Sequence, residues 1–441
     1  MKGIIIYPPN QLMDVETPRP DGSLGPLYLA SALEARGIKT DILDASVGGP
    51  RQSLKDTFYR SVRQSNGLTR IGMSFEEIAE HVAQKGYDFV GISSNFTPQT
   101  RMAFETAQAI RQKNPNIKIY AGGVNARALY ERFLATGNFD AVCLTEGEKI
   151  FPELVESQAR PPEMREIKGI AFNLEGRVVV NPADKSCIAH NLDELHMPSW
   201  DKMAFNKYDG INSPHGVDIT PDSPKRYAPI MTSRGCPYSC LYCHNSDEGG
   251  DNEKGPIGRL RLSSIERVVQ EIEALKALGV SKLFFEDDSL LAKKDRAKEI
   301  FRRARGYGLA IANVNGVNLI DFYNRSGGVD KPWAIDHEFI EVLRDAGFSQ
   351  LVFPAESGSR RILKKYASGK VNLDKMNLPL LMREMSQKGI LAPVNIMIGF
   401  PDETRELVFD TIELKCKEFY KTDSKASLTT VHVPDETNSI A

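Results

Sequence analysis

The chain has 441 residues, of which an ordinary globular share of 41% is hydrophobic; this excludes disordered and fibrous classes and predicts two or three domains. Lys and Arg number 56 against 58 Asp and Glu, for a net charge of -2, so the charge gives no reason to expect a nucleic-acid or anionic-membrane partner. No apolar run approaches the ~20 residues of a membrane-spanning helix. Three of the six cysteines fall within eight residues, which is typical of metal ligation in a reducing compartment. We therefore expect a cytoplasmic protein without a membrane span.

Strand and helix patterns alternate over residues 1–160, which we take as one domain. Short apolar runs joined by helices are typical of parallel βαβ units, and they predict a doubly wound α/β sheet with helices on both faces. The expected strands lie at 3–7, 40–43, 89–93, 118–121 and 141–144, and the expected helices at 27–36, 74–84, 102–111 and 126–134. Ligands of such sheets bind at the carboxyl ends of the strands, so the loops after these strands are candidate sites.

Residues 161–225 are expected to form a hairpin and a connecting segment. The hairpin is predicted at 168–180, with its turn at Asn173-Leu174-Glu175-Gly176. After Pro182 the chain is polar and rich in Pro, Asp and Ser, without sustained periodicity.

Strand and helix patterns alternate again from Arg226 to the end of the chain. The clearest helix is predicted at 263–278, where Ser263 and Glu266 have the spacing of a capping box. The expected strands lie at 229–232, 282–285, 310–314, 350–353, 391–398 and 427–433. Six repeats are too few for a closed eight-stranded barrel, so residues 226–441 are predicted to form an open, partial (β/α)6 barrel.

Cys236, Cys240 and Cys243 lie directly after the first strand of this barrel, with the spacing C-x3-C-x2-C. Three thiolates on one loop can bind three corners of a 4Fe-4S cluster and leave one iron open to a small molecule. A structural zinc ion needs a fourth ligand, which the adjacent His244 offers, but zinc modules usually pair two C-x2-C elements. The other cysteines are scattered and are expected to be small buried hydrophobic residues: Cys143, Cys187 and Cys416.

The cysteine loop, with Tyr242 before its last cysteine, resembles the cluster motif of the radical S-adenosylmethionine (SAM) superfamily. Three further segments, in the same order, resemble the SAM-binding elements of that family: Phe285-Glu286-Asp287-Asp288, Ala355-Glu356-Ser357-Gly358-Ser359 and Ile398-Gly399-Phe400-Pro401-Asp402-Glu403-Thr404. The resemblance spans residues 226–433 and implies that Cys236, Cys240 and Cys243 bind the cluster. It also implies SAM contacts from residues of all four elements and of the Asn-Gly after the third strand: Tyr242, Asp287, Asp288, Asn315, Glu356, Ser357 and Gly399.

Five segments within residues 1–148 resemble the loops and first helix of the cobalamin-binding domain that precedes the barrel in one branch of this superfamily: Pro8-Pro9, Gly22-Ser23-Leu24-Gly25-Pro26-Leu27-Tyr28-Leu29-Ala30, Val90-Gly91-Ile92-Ser93-Ser94, Ala121-Gly122-Gly123 and Thr145-Glu146-Gly147-Glu148. The resemblance implies cobalamin contacts in the loops after the strands, where small residues let the backbone approach a large flat ligand: Pro9, Gly22, Leu24, Gly25, Ser94, Gly122, Gly123, Glu146 and Gly147. No D-x-H-x-x-G sequence is present to supply a His to cobalt, which implies base-off cobalamin. An ordinary doubly wound domain whose Gly-Gly is a tight turn is the alternative.

Together the two resemblances imply a cobalamin-dependent radical SAM enzyme similar to the class B methyltransferases. The implied reaction uses a 5′-deoxyadenosyl radical to move a methyl group from methylcobalamin to an unactivated carbon, or a phosphinate phosphorus, of a small molecule. An external donor such as flavodoxin or ferredoxin is expected to supply the electron. Cyclisation or rearrangement without methyl transfer, and a non-catalytic corrinoid or Fe–S binding module, are the alternatives. The sequence ends soon after the last predicted strand, so we expect a minimal enzyme or a lid from a partner or a further segment.

Overall fold

The structure is a computed structural model that describes residues 1–13, 16, 24–211, 226–250, 254–325 and 331–414. The chain divides into two compact units, Met1–Arg226 with Gly250–Ile257, and Tyr227–Gly249 with Gly258–Ala441. The boundaries at residues 160 and 225 that the sequence suggests stay a prediction, because compact units need not coincide with family domains. None of the described helices combines the length and the apolar character needed to cross a bilayer.

The first unit contains ten strands and eight helices among its described residues. The strands are β1 (Lys2–Tyr7), β2 (Asn10–Leu12), β3 (Lys39–Asp44), β4 (Ser61–Arg63), β5 (Thr69–Ile71), β6 (Phe89–Ser93), β7 (Lys118–Gly122), β8 (Ala141–Cys143), β9 (Ile170–Leu174) and β10 (Arg177–Asn181). The helices are α1 (Leu24–Glu34), α2 (Phe75–Lys85), α3 (Gln99–Lys113), α4 (Val124–Ala128), α5 (Tyr130–Ala135), α6 (Gly147–Glu156), α7 (Pro161–Met164) and α8 (Phe205–Tyr208). Short 3₁₀ turns lie at Lys185–Cys187, Leu192–Glu194 and Trp200–Lys202.

Seven strands of this unit form one sheet in the order β10-β9-β8-β7-β6-β1-β3. The five strands from β3 to β8 in that order are parallel. Their order is 2-1-3-4-5 by sequence, and in such sheets ligands bind where the order reverses, here between β1 and β6. Alternate side chains of β1 enter the apolar layers on opposite faces, Ile4 on one and Ile5 on the other. The expected doubly wound sheet is therefore confirmed.

The predicted hairpin is also confirmed, as β9 and β10 paired antiparallel. Glu175 and Gly176 both have positive φ, 51° and 79°, as the tightest hairpin turns require. The hairpin extends the sheet, since β9 pairs with β8. A small antiparallel sheet in the order β2-β5-β4 was not expected, because its strands of three residues each are too short to show a pattern.

The second unit contains ten further strands and seven helices among its described residues. The strands are β11 (Tyr227–Ile230), β12 (Ser233–Arg234), β13 (Arg261–Leu262), β14 (Lys282–Phe285), β15 (Ala310–Asn313), β16 (Tyr323–Asn324), β17 (Ala334–Ile335), β18 (Phe348–Gln350), β19 (Phe353–Glu356) and β20 (Val394–Ile396). The helices are α9 (His244–Asp247), α10 (Ile265–Ala277), α11 (Lys294–Ala304), α12 (His337–Ala346), α13 (Arg360–Tyr366), α14 (Leu378–Gln387) and α15 (Arg405–Glu413). Short 3₁₀ turns lie at Arg305–Tyr307 and Leu319–Phe322.

Parallel strands β11, β14, β15 and β18 form one sheet. Two residues separate β19 from the end of β18, and β19 pairs parallel with β20. An isolated parallel bridge between Gln350 and Leu391 connects the two sheets. Five of the six expected strands are thus present in the described chain, separated by helices as a partial barrel requires. The sixth, at 427–433, lies outside the described residues.

Helix α10 corrects one local prediction. Its N-cap is Ser264, whose side chain accepts from the Arg267 backbone N–H, so the predicted capping box of Ser263 and Glu266 is wrong. Ser263 stays outside the helix, because its N–H donates to the carbonyl of Thr232 beside the small β12–β13 pair. The helix therefore starts one residue later than the pattern suggests.

Candidate functional site

The three cysteines lie in the loop between β12 and α9, at the carboxyl end of the first barrel strand. Gly235 opens the loop with φ of 75°, and a Cβ there would overlap the Arg259 carbonyl, so glycine is required. The Cys236 N–H donates to the Gly258 carbonyl and the Cys243 N–H to the Cys240 carbonyl, both at 3.0 Å. The backbone of the loop is thereby fixed at both ends.

The thiols have the surroundings of metal-binding sulfurs. Nearby backbone N–H groups lower the pKa of two of the thiols, that of Tyr238 for Cys236 and those of Asn245 and Ser246 for Cys243. Burial raises the pKa of all three thiols, and the Lys370 ammonium opposes that increase in each. Buried thiols lose their proton readily only when a strong positive charge lies nearby. N–H groups close to the sulfur are typical of thiolates that bind a cluster. The loop therefore fits a 4Fe-4S cluster.

A cubane cluster binds each thiolate through a different iron, so its ligands need not converge on one point. Within the described part of the chain, no three His, Cys, Asp or Glu side chains are grouped so as to hold a metal ion together. His244, the fourth ligand of the zinc alternative, is exposed at the start of α9.

Asp287 and Asp288 follow β14, and the structure gives them different surroundings. The Asp287 carboxylate is fully buried and accepts from the Thr232 N–H, the Thr232 hydroxyl and the Ser233 hydroxyl at 3.0, 2.7 and 2.6 Å. Asp288 is exposed and accepts from the Gly235 N–H at 2.9 Å. Asp287 therefore supports the strand that leads into the cysteine loop, whereas Asp288 is accessible to a ligand.

Glu356, at the end of β19, is the most constrained of the predicted SAM residues. It is 5% exposed and has φ of 63°, a left-handed conformation that is unfavourable for a residue with a Cβ. Its carboxylate pairs with Lys370 Nζ at 2.5 Å, and that ammonium lies 5.7 Å from the ring centroid of Tyr242. Tyr242 also contacts Phe400 edge-on. Burial, together with the Glu356 carboxylate, raises the pKa of Tyr242.

Three further predicted SAM residues lie at the carboxyl ends of their strands. The Ser357 hydroxyl is buried and shares a hydrogen bond of 2.9 Å with the Thr411 hydroxyl, which ties this turn to α15. Asn315 Nδ2 donates to the Glu286 carbonyl at 2.6 Å. Gly399 has φ of 96°, and a Cβ there would meet no atom within 4 Å. Ser357 is therefore used internally, while Gly399 has free space beside it.

In the first unit, Ser94, Gly122 and Gly123 meet at the carboxyl ends of β6 and β7. The Ser94 N–H donates to the Gly122 carbonyl at 2.8 Å, and its hydroxyl accepts from Asn125 Nδ2 at 2.8 Å. A Cβ on Gly123, where φ is 103°, would lie 2.5 Å from the Ser94 carbonyl oxygen, so the tight turn itself requires this glycine. A Cβ on Gly122 would meet only Cys143, at 3.7 Å, which leaves room for a ligand.

The other predicted cobalamin residues differ in how much space surrounds them. Gly25 is exposed at the start of α1, and a Cβ there would meet nothing within 4 Å. Gly147 faces Leu29 of α1, 2.6 Å from where its Cβ would lie, so it allows close packing of α1 and α6. Pro9 and Leu24 are buried, and Glu146 occupies the N-cap position of α6 without a side-chain capping hydrogen bond. Gly22 lies outside the described residues. Gly25 and Gly122 thus fit a bulky ligand best.

Lys370 is the residue of this site that sequence reasoning missed. It lies in a turn after α13 and carries no motif, so only its buried contacts with Glu356 and Tyr242 reveal it. Cys143 and Cys187 are buried as expected, and burial raises the pKa of Cys143 to about 12. Cys416 lies outside the described residues.

These features define a class of protein: a doubly wound α/β unit with open glycines at its strand ends, and a parallel barrel whose first strand leads into a three-thiol loop. Known families agree with both parts. The B12 binding domain matches residues 22–155, and the radical SAM superfamily matches residues 230–414.

Two curated relatives are similar over most of the chain. An uncharacterized methyltransferase of Pyrococcus horikoshii is 28% identical over 347 residues, 78% of this chain and 67% of the relative. Cytidylyl-2-hydroxyethylphosphonate methyltransferase of Streptomyces wedmorensis is 28% identical over 399 residues, 85% of this chain and 68% of the relative. Among solved structures, the radical SAM methyltransferase TsrM of Kitasatospora setae, with cobalamin and a 4Fe-4S cluster bound, has a TM-score of 0.65 at 17% identity, covering 97% of this chain and 74% of that one.

The chain carries a B12-binding domain over residues 22–155, followed by a radical SAM domain over residues 230–414. It is therefore an enzyme whose cofactors are a 4Fe-4S cluster, SAM and cobalamin, as the sequence predicts. The contacts of individual residues with these cofactors stay predictions.

Proposed function

We propose that this protein is a cobalamin-dependent radical SAM methyltransferase that methylates an unactivated carbon, or a phosphinate phosphorus, of a small molecule. The observation that carries the proposal is the three-thiol loop of Cys236, Cys240 and Cys243 at the end of the first barrel strand, in a chain that also has a B12-binding domain. The methyltransferase names of both curated relatives support methyl transfer as the reaction.

When bound, the cluster and SAM supply one-electron cleavage of the SAM sulfonium, and methylcobalamin supplies the methyl group. The chain's own part is placement. The three thiols would hold the cluster, Asp288 would offer its exposed carboxylate to the SAM amino group, and buried Glu356 would offer acceptors to the ribose hydroxyls. Gly399 leaves space beside the turn after β20 for the adenine.

The electron comes from outside the chain, and we propose a small carrier such as flavodoxin or ferredoxin. A cluster of this kind requires a reducing compartment, which is consistent with the cytoplasmic location predicted from the clustered cysteines.

The test does not require the substrate. Anaerobically reconstituted protein is incubated with reductant, cobalamin and SAM that carries a deuterated methyl group. We expect 5′-deoxyadenosine and, separately, S-adenosylhomocysteine with labelled methylcobalamin. A variant with Cys236, Cys240 and Cys243 all changed to Ala is the control and should form no 5′-deoxyadenosine.

The alternatives give different products in the same assay. Formation of 5′-deoxyadenosine without any methylcobalamin would contradict methyl transfer and favour cyclisation or rearrangement. Failure to cleave SAM despite a reduced, reconstituted cluster would favour a non-catalytic binding module.

A further inference from the structure

Lys370 is a buried cation at the centre of the second unit's site. It follows a tight turn in which Ser368 and Gly369 have positive φ of 52° and 70°, and its side chain is only 11% exposed. A lysine this deeply buried is unfavourable unless an anion compensates its charge. Its partner is the Glu356 carboxylate, with Nζ and Oε1 2.5 Å apart and only 6% of the Glu356 side chain exposed.

The pair constrains Glu356 in a conformation that the backbone alone disfavours. A left-handed φ is unfavourable for a residue with a Cβ and persists only where surrounding contacts enforce it. Two contacts do so: the ion pair with Lys370 and the hydrogen bond from the Met397 N–H to the Glu356 carbonyl, at 2.6 Å. Lys370 therefore determines where the Glu356 carboxylate lies.

The turn that carries Lys370 is bonded to the cysteine loop at two points. The Leu241 N–H donates to the Tyr366 carbonyl at 2.9 Å, and the Ser239 N–H donates to the Ser368 hydroxyl at 3.1 Å. The ammonium itself lies 5.7 Å from the ring centroid of Tyr242. In the sequence, Tyr242 lies between Cys240 and Cys243. The charge of Lys370 is thus held at a fixed place beside the loop, with little water to screen it.

We propose that Lys370 is a positioning residue with two effects: it holds Glu356 in its left-handed conformation, and its charge makes the 4Fe-4S cluster easier to reduce. The inference rests on the proposed function, since it requires that the three cysteines carry the cluster. Reduction adds a negative charge to a site that already holds three thiolates and the Glu356 carboxylate, so a buried cation nearby favours the reduced state.

The test is a redox titration of the reconstituted protein, followed by electron paramagnetic resonance of the reduced cluster. In the Lys370→Met variant we expect reduction to become at least tenfold less favourable, a midpoint more negative by about 59 mV for a one-electron couple. Lys370→Arg keeps the charge and should retain most of the wild-type midpoint. Lys282→Met is the matched control, because Lys282 is a buried lysine of the same unit, 7% exposed, on β14.

A second pair of variants avoids the lone buried charge that Lys370→Met leaves on Glu356. Glu356→Gln should move the midpoint to a more positive value than wild type, because it removes an anion. In the double variant Glu356→Gln/Lys370→Met we expect reduction of the cluster to be at least tenfold less favourable than in Glu356→Gln. These two proteins differ only in the Lys370 charge.

Equal midpoints for Glu356→Gln and the double variant would overturn the inference, as would an equal shift in Lys282→Met. Iron content and the spectrum of the wild-type protein separate this failure from failure of the proposed function. A wild-type protein that binds no cluster contradicts the function itself, whereas a reducible cluster insensitive to Lys370 contradicts only the inference.

Discussion

The Asp287 carboxylate accepts two hydrogen bonds from Thr232, one from its backbone N–H at 3.0 Å and one from its hydroxyl at 2.7 Å. The two residues are 55 positions apart in sequence, and they lie at the ends of neighbouring strands, β11 and β14. The strand that leads into the cysteine loop is thereby bonded to the second strand of the barrel. We therefore predict that this acid acts as a structural support, although the family resemblance names it among the SAM contacts.

Removing each carboxylate of the Asp287–Asp288 pair should have a different effect. Asp287→Ala leaves the buried Thr232 N–H without its acceptor, which we expect to cost about 3 kcal/mol or more and to lower the iron content. Asp288→Asn keeps an acceptor for the Gly235 N–H, so stability and iron should stay near wild type while SAM binds at least tenfold more weakly. Chemical denaturation, iron assay and SAM titration measure the three quantities. The reverse result, weak SAM binding with intact stability in Asp287→Ala, would contradict this assignment.

Substitution of a cysteine in the three-thiol loop should lower the iron content, whereas substitution of another buried cysteine should not. Cys240→Ala removes one thiolate of the loop, and we expect the iron content to fall from about four per chain to below one. Cys143→Ala is the matched control, because Cys143 is buried to a similar degree, 5% against 4% exposed, but lies in the first unit. Retention of the full iron content by Cys240→Ala would contradict the cluster assignment.

Two adjacent glycines offer a test of the cobalamin site. Gly122→Ala adds a methyl group whose nearest neighbour is Cys143 at 3.7 Å, so the fold should be unaffected while cobalamin binding weakens at least tenfold. Gly123→Ala places a Cβ 2.5 Å from the Ser94 carbonyl oxygen at a φ of 103°, and we expect loss of stability in the absence of cobalamin. Thermal unfolding and cobalt content distinguish the two effects. Unchanged cobalamin binding in Gly122→Ala would show that the ligand does not approach this strand end.

The pH dependence of stability should carry a contribution from Glu271 on α10. Burial raises the pKa of this carboxyl to about 7 from its ordinary 4.5; Arg267, 4.0 Å away, and Arg234 oppose the increase, and Asp287 adds to it. Between these values the folded state keeps a proton that the unfolded state has released, so the free energy of unfolding falls as pH rises, by about 3 kcal/mol in all.

Glu271→Gln should abolish that loss, because a glutamine stays neutral at every pH. Denaturant titrations at several values between pH 4.5 and 8 measure the difference. Glu273→Gln is the control, since Glu273 is exposed on the same helix. Parallel stability curves for wild type and Glu271→Gln would contradict the prediction.

Local patterns predicted the parts of the fold that depend on neighbouring residues. The Glu175-Gly176 turn, the parallel strands and the cysteine loop all follow from spacing within a few positions. The start of α10 did not, because pairing of Ser263 with distant Thr232 overrides the local capping pattern. Short-range sequence cannot show such long-range hydrogen bonds.

The candidate site shows the same limit. Asp287 and Asp288 have equivalent positions after a strand, and only the fold reveals that one accepts from Thr232 while the other stays exposed. Lys370 belongs to no motif. Its role in the site rests on the ion pair with Glu356, which lies 14 positions earlier in the sequence. Motif reasoning names the residues of a known family element, but it does not show the contacts that those residues make across the fold.

The most direct measurement of the central claim is the metal content of protein purified anaerobically with cobalamin supplied, with its ultraviolet-visible spectrum. The account predicts about four irons and one cobalt per chain. Iron without cobalt would contradict cobalamin-dependent methyl transfer and leave the first unit as a scaffold. Neither metal after reconstitution would contradict the enzymatic account altogether.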